Sequence, residues 1–238
     1  MPSDQLPAQR PIRIAIVGTG TDVGKTHLSV ALLRALARQG QSAVGLKPVE
    51  SGVGTGESDS SKLAAAGTFH VKHPAPYRFP DPVSPHLAAR RVGVAIDPSR
   101  ILEWVDRCAT SWTLIETAGG LLSPLARSFT NLDLVRLLNP DAVVLVGVDR
   151  LGVLHDIAAC RFVLSAKAPT RGELHVVLQS PALPDTSTGA NAEELRFLGL
   201  AGEVTMVPRG AVMEPAVEDA AMALLARIQR AVGARCFT

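Results

Sequence analysis

The run from Gly18 to Thr26, Gly-Thr-Gly-Thr-Asp-Val-Gly-Lys-Thr, holds the residue types that grip a polyphosphate. Glycines let successive backbone N–H groups face an anion without Cβ obstruction, and a following helix adds its N-terminal dipole at the same spot. Lys25 would reach the outer phosphates, and the Thr26 hydroxyl would ligate Mg2+. Five residues separate Gly18 from Gly24, one more than the general motif allows, with Thr19 at the expected first glycine. The flanks supply the context. Ile12 to Val17 is β-branched and apolar, and Leu28, Leu32, Leu33 and Leu36 recur at helical spacing until Gly40 stops them.

Other chemistry-bearing residues fall where further strands end. Lys47-Pro-Val-Glu-Ser51-Gly52 follows one apolar run, and a second run ends at Glu116, followed by Thr117-Ala-Gly119-Gly120. A carboxylate beside two glycines suits a metal held near phosphates. Ser58-Asp59-Ser60 opens a helix between them. Taken singly, each residue has a second reading: Lys47 as a solvated strand-end lysine, Glu116 as a surface partner of an arginine, Asp59 as a helix cap or first-turn acid.

The elements that must position these residues alternate along the chain. Strands are expected at 13–17, 43–47, 113–116, 142–148, 174–179 and 203–207. Helices are expected to begin near Thr26, Ser58, Ser84, Pro98, Thr130, Leu154, Asn191 and Pro215. That order predicts an α/β fold with a mainly parallel β-sheet flanked by helices on both faces, of the P-loop NTPase type. In such sheets ligands sit outside the carboxyl ends of the strands.

Composition agrees. Hydrophobic residues make up 47% of the 238 but aromatics only 4%, so the core must be Leu, Val, Ala and Ile, as in a sheet covered on both sides. No linker or charge block divides residues 12–238, which are expected to form a single domain behind a flexible extension at 1–11. The net charge of +2 is scattered, giving no footprint for nucleic acid. No segment has the length of a membrane span, and the polar start lacks the apolar stretch of a signal peptide. Cys108, Cys160 and Cys236 show no metal or CxxC spacing, which fits a reduced, cytoplasmic setting.

Together the motifs Gly-Thr-x-Thr-x-Val-Gly-Lys-Thr at 18–26, Lys-Pro-Val-x-Ser-Gly at 47–52, Ser-Asp at 58–59, Pro-x-Ser-Pro-His at 82–86 and Glu-x-Ala-Gly-Gly-x-x-x-Pro-Leu at 116–125 resemble the dethiobiotin synthetases. The resemblance spans roughly residues 12–210. It implies that 7,8-diaminononanoate, CO2 and ATP are converted to dethiobiotin, ADP and phosphate. One amine captures CO2 as a carbamate, the γ-phosphoryl group passes to it, and the second amine closes the ring. The resemblance assigns Lys47 to the carbamate and phosphoryl transfer and Lys25 to the outer phosphates. Thr26, Asp59 and Glu116 would hold Mg2+, and Thr21 and Ser51 would face the substrate. Asp22, Val23, Gly24, His27, Gly119, Gln179, Pro208, Arg209 and Gly210 would surround the nucleotide. The substrate's far carboxylate would meet Leu151, Gly152 and His155 from the partner subunit of a homodimer; His155 also reads as a partly buried helix histidine.

Several positions depart from the family. Asp22 stands where Glu is common, and Thr117 replaces a usual Gly beside Glu116. Gln179 stands where an Asn often reads the base, which leaves adenine selectivity open. Residues 181–189 are rich in turn formers and are expected to be irregular. Partner-regulated ATPases of the MinD or ParA type share the strand-loop-helix start. They carry a signature lysine where this chain has Gly20, and they lack the Lys-Pro-Val-x-Ser-Gly element. Amidotransferase-linked synthetases share the core too, but they need a glutaminase domain for which nothing after residue 210 is long enough.

Overall fold

A computed structural model describes residues 10–235, apart from 55 and 169. Six strands build the central sheet: β1 (Ile12–Gly18), β2 (Ala43–Leu46), β5 (Trp112–Gly120), β8 (Ala142–Val148), β9 (Glu173–Gln179) and β10 (Val204–Val207). Their order is β10-β9-β8-β1-β5-β2, and every pairing is parallel. These are the six strands expected from the apolar runs. Two small two-stranded units stand apart: β3 (Val49–Ser51) parallel to β4 (Tyr77–Phe79), and β6 (Pro124–Ala126) antiparallel to β7 (Phe129–Thr130).

Among the described residues eight helices connect them, all beginning within a residue of the expected starts: α1 (Lys25–Arg38), α2 (Asp59–Ala66), α3 (Pro85–Arg91), α4 (Pro98–Cys108), α5 (Asn131–Leu138), α6 (Val153–Lys167), α7 (Asn191–Phe197) and α8 (Pro215–Arg235). Alternation along β1 divides the core. Ile14 and Ile16 pack with Leu28 and Leu32 of α1 and Leu224 and Ile228 of α8. Ala15 and Val17 pack with Val135 of α5 and Val153 and Ile157 of α6. Helices therefore cover both faces, and the parallel strands read as continuous apolar runs because both faces are dry.

One polar cluster ties the amino end of this sheet. Asp141, 2% exposed, accepts the Arg13 backbone N–H at 2.9 Å and pairs with Arg10 at 2.8 Å and Arg171 at 3.0 Å. Residues 1–9 of the expected extension lie outside the described residues, whereas Arg10 is held to the sheet by this pair. Burial would raise the Asp141 pKa, but the Arg10 hydrogen bond, the Arg13 N–H and Arg171 outweigh it and hold the carboxyl below its ordinary 3.8. A depressed native pKa contributes stability above the unfolded value and loses it as pH falls through the native one. Asp141→Asn is therefore expected to lower stability by about 2 kcal/mol near neutral pH, a figure reduced because both arginines are partly solvated. Urea titrations should show the gap to the wild type closing below about pH 4; a gap independent of pH would refute the charge account.

Candidate active site at the carboxyl edge of the sheet

Residues 19–24 join β1 directly to α1, and two glycines have no substitute there. Gly24 has φ +88°, and a Cβ on it would lie 2.7 Å from Gln179 Cγ. A Cβ on Gly18 would lie 2.8 Å from the Gly20 carbonyl oxygen. Lys25, the first residue of α1, is buried and donates from Nζ to the Gly20 oxygen at 2.8 Å, across the loop. Burial pushes its pKa down to about 8, with Glu116 opposing and Lys47 adding to the shift. A polyphosphate in the loop would restore the charge.

Below the loop lies a compact charged cluster. Glu116 is 1% exposed and lies inside β5, paired in register with Ile16, rather than ending a strand as its sequence suggests. The strand runs on past a register irregularity at Thr117–Gly119, and Gly120 pairs again with Gly18 of β1. Glu116 Oε1 accepts the Thr26 hydroxyl at 2.8 Å and Lys47 Nζ at 2.9 Å; Oε2 accepts the Ser29 hydroxyl at 2.8 Å. Lys47, one residue past β2, also donates to Asp59 Oδ2, and Lys62 stands 3.7 Å from the other Asp59 oxygen. Burial opposes the Lys47 charge, but Glu116 and Asp59 outweigh it and hold the pKa above 10.5. Burial likewise opposes the Asp59 charge, yet Lys47 holds that carboxyl below its ordinary value. Lys47 is therefore a fixed cation here, not a base. The second readings of Lys47 and Glu116, as a solvated lysine and a surface acid, fail on burial. Asp59 is a first-turn acid, while Ser58 caps α2 by accepting the Ser61 N–H.

Thr26, Asp59 and Glu116 offer a hydroxyl and two carboxylates, the hard oxygen set that Mg2+ takes with several waters. No cluster of three His, Cys, Asp or Glu that could hold a metal exists among the described residues. The donor set nevertheless fits a cation, because an ammonium already lies between its two carboxylates.

A cleft of about 970 Å3 opens over this cluster, lined by Thr21, Asp22, Gly24, Lys25, Thr26 and His27 from the loop and helix. Lys47, Ser51, Asp59, Glu116, Gly119 and Arg209 line it from the other elements. Val23 is instead a core residue. Gln179 is wedged behind the loop: Nε2 donates to the Gly24 oxygen at 3.3 Å, and Oε1 lies 3.3 Å from His27 Nδ1. His27 Nε2 in turn lies 3.0 Å from the Gly210 oxygen, so 208–210 is laced to α1. The Thr117 hydroxyl turns away from Glu116 and donates to the Ile16 oxygen at 3.2 Å. Leu151, Gly152 and His155 do not join the cleft. Leu151 and Gly152 are exposed on the β8–α6 connection and His155 is exposed in the first turn of α6, so it is a helix histidine but not the partly buried one of the alternative reading. Residues 181–189 are irregular yet well bonded there: Asp185 accepts the Leu151 N–H at 2.8 Å, and the buried Asp149 accepts the Gly189 N–H at 2.8 Å. A second cavity, of about 780 Å3 at the amino ends of β8 and β9, holds none of the motif residues.

Sequence reasoning missed Ser29 and Glu50. Ser29 is fully buried on the polar-to-apolar border of α1, three residues after Thr26, where a hydroxyl within an apolar stripe was the available signal.

A family model described as an AAA domain matches residues 13–205. The chain is 33% identical over 218 residues to an ATP-dependent dethiobiotin synthetase of Aromatoleum aromaticum, covering 88% of this chain and 96% of that one. It is 35% identical over 195 residues to the one of Phenylobacterium zucineum, covering 77% and 82%. Among solved structures, a plasmid partition protein of Borrelia burgdorferi superposes with TM-score 0.58 at 11% identity, over 93% of this chain and all of that one. A ParA family ATPase of Chlorobium tepidum gives 0.53 at 12% identity, over 93% and 96%. Likeness at that identity shows the fold alone. Phosphate loop, parallel order and buried carboxylate together make this a P-loop NTPase-type protein. At the level of sequence the grouping is narrower: the chain belongs to the ATP-dependent dethiobiotin synthetase family.

Proposed function

We propose that this protein is the biotin-pathway synthetase of its family, closing the ureido ring of dethiobiotin from 7,8-diaminononanoate, CO2 and ATP. The observation that carries the reading is the Lys47 ammonium held between Asp59 and Glu116, beside Thr26 and within the cleft that Lys25 enters. Phosphoryl transfer to a carbamate brings two anions together, so the site needs placed cations rather than a nucleophile.

Ser51 and Thr21, on the cleft wall, orient the diamine, whose first amine adds CO2 to give the carbamate. Lys47 neutralises the carbamate oxygens and holds them in line with the γ-phosphorus. Lys25 and the loop N–H groups bind the β- and γ-phosphates. Thr26, Asp59 and Glu116 would hold Mg2+, which when bound supplies charge neutralisation to the phosphates. The γ-phosphoryl group passes to a carbamate oxygen as its bond to ADP breaks. The second amine then attacks the carbonyl carbon, forming the C–N bond of the ring as the C–O bond to phosphate breaks and the amine proton leaves to solvent, with Lys25 and Lys47 stabilising the departing phosphate. Gln179, spent on Gly24 and His27, supports the loop rather than reading the base. A homodimer is part of the proposal: the exposed Leu151–Gly152 turn at the start of α6 would meet the substrate carboxylate of the other subunit. No described helix is long and apolar enough to cross a membrane, and a cytoplasmic location is proposed with the activity.

Purified protein given bicarbonate, Mg2+, ATP and the diamine is expected to yield dethiobiotin, detected by mass, with one ADP formed per product. Bound nucleotide without product at saturating substrates would sink the reading.

A further inference from the structure

Glu50 is a buried carboxylate that the proposed chemistry leaves unused. It is 4% exposed, in the middle of β3, between Lys47 and Ser51 on one side of the site and α2 on the other. Its Oε2 accepts the Ser60 hydroxyl at 2.6 Å, and Oε1 accepts the Ser60 backbone N–H at 3.3 Å. Ser60 is the residue after Asp59. Arg78, the register partner of Glu50 on β4, approaches its Oε2 to 3.8 Å and reaches the N-cap Ser58 hydroxyl at 3.4 Å.

These contacts decide where Asp59 stands. The α2 helix has eight residues and buries only Leu63 and Ala66, both near its far end, so its first turn has little apolar anchorage. An isolated helix of that length is marginal, and its amino end frays first. A carboxylate accepting two donors of that turn fixes it and complements the helix dipole. Glu50 is also three residues from Lys47, on the same connection, so one side chain ties the lysine-bearing segment to the helix that carries Lys47's partner.

We infer that Glu50 is a positioning residue that sets the Asp59 carboxylate, through Ser60, at the distance from Lys47 and Glu116 that divalent-cation binding requires. The inference rests on the proposed role of Thr26, Asp59 and Glu116.

The test is Mn2+ titration, followed by electron paramagnetic resonance, of the full chain saturated with a non-hydrolysable ATP analogue. Glu50→Ala is expected to weaken Mn2+ about tenfold or more, the usual effect of losing a group that orients a ligand. Metal-free nucleotide binding should be unchanged. Glu50→Gln, which keeps an acceptor oxygen, should recover most of the affinity. Ser60→Ala should reproduce part of the loss, and Glu50→Ala with Ser60→Ala should lose no more than Glu50→Ala alone. Glu50→Ala and Glu50→Gln both binding Mn2+ as the wild type does would overturn the inference, as would equal loss of metal and metal-free nucleotide. Asp59→Ala separates the two levels. If it leaves Mn2+ affinity untouched, the metal assignment fails and this inference with it. If it weakens Mn2+ while Glu50→Ala does not, only the positioning role fails.

Discussion

Lys47→Ala is expected to reduce ring closure by about 10³-fold while leaving nucleotide affinity nearly unchanged. A fixed donor aimed at charge that develops during reaction is worth about 10²–10³ in rate, and Lys47 is the buried cation in the cleft that the phosphate loop itself does not use. Lys25, with its own seat at Gly20, continues to serve the phosphates. The separation of kcat from nucleotide binding is the decisive readout, because an interaction made only in the transition state lowers kcat without touching ground-state affinity. Equal loss of both would assign Lys47 to the nucleotide. A second consequence follows from its partners: without the ammonium, Asp59 and Glu116 face each other uncompensated, and Mn2+ affinity in the absence of nucleotide should rise rather than fall.

Glu116→Gln should have the second-largest effect, at least about 10² in turnover, with a higher Mg2+ requirement. The substitution keeps shape and removes charge. The introduced amide oxygen would still accept the Thr26 or Ser29 hydroxyl, but Asp59 would be the one carboxylate left to Lys47. The stability cost is expected to be about 1–3 kcal/mol, since Lys47 keeps one of its two carboxylates. Saturation with Mg2+ should recover part of the rate if Glu116 acts through the metal. A rate loss independent of Mg2+ concentration, accompanied by the expected stability loss, would show that Glu116 serves only to hold Lys47.

Much of this was legible from residue types. The six long strands of the sheet were marked by β-branched runs such as Ala142–Val148, and the helices by their starts at positions such as Pro98. The two- and three-residue strands β3, β4, β6 and β7 were not, because a period of two needs more residues than they have. Glu116 was placed at a strand end since Ala118-Gly119-Gly120 carries no β-formers; the strand is continued by the pairing of Gly120 with Gly18 after a register irregularity, a tertiary contact. The phosphate loop, Lys47 and Asp59 stood out through their motifs, and the structure brings them together. Glu50 and Ser29 did not, since a lone acid or serine reads as surface until burial is known. Gln179 shows the reverse limit: its position was legible, but the competing His27 and Gly24 contacts exist only in three dimensions.

The strand order carries a consequence for synthesis. β1 sits between β5 and β8, so the strand that bears the phosphate loop has no hydrogen-bonded neighbour until residues 112–120 and then 142–148 have been made. At about 5–20 residues per second the ribosome needs roughly 5–20 s to produce the first of those partners. During that interval both edges of an apolar strand stand open, and the nascent chain depends on its surroundings, not on its own later sequence, to stay unaggregated.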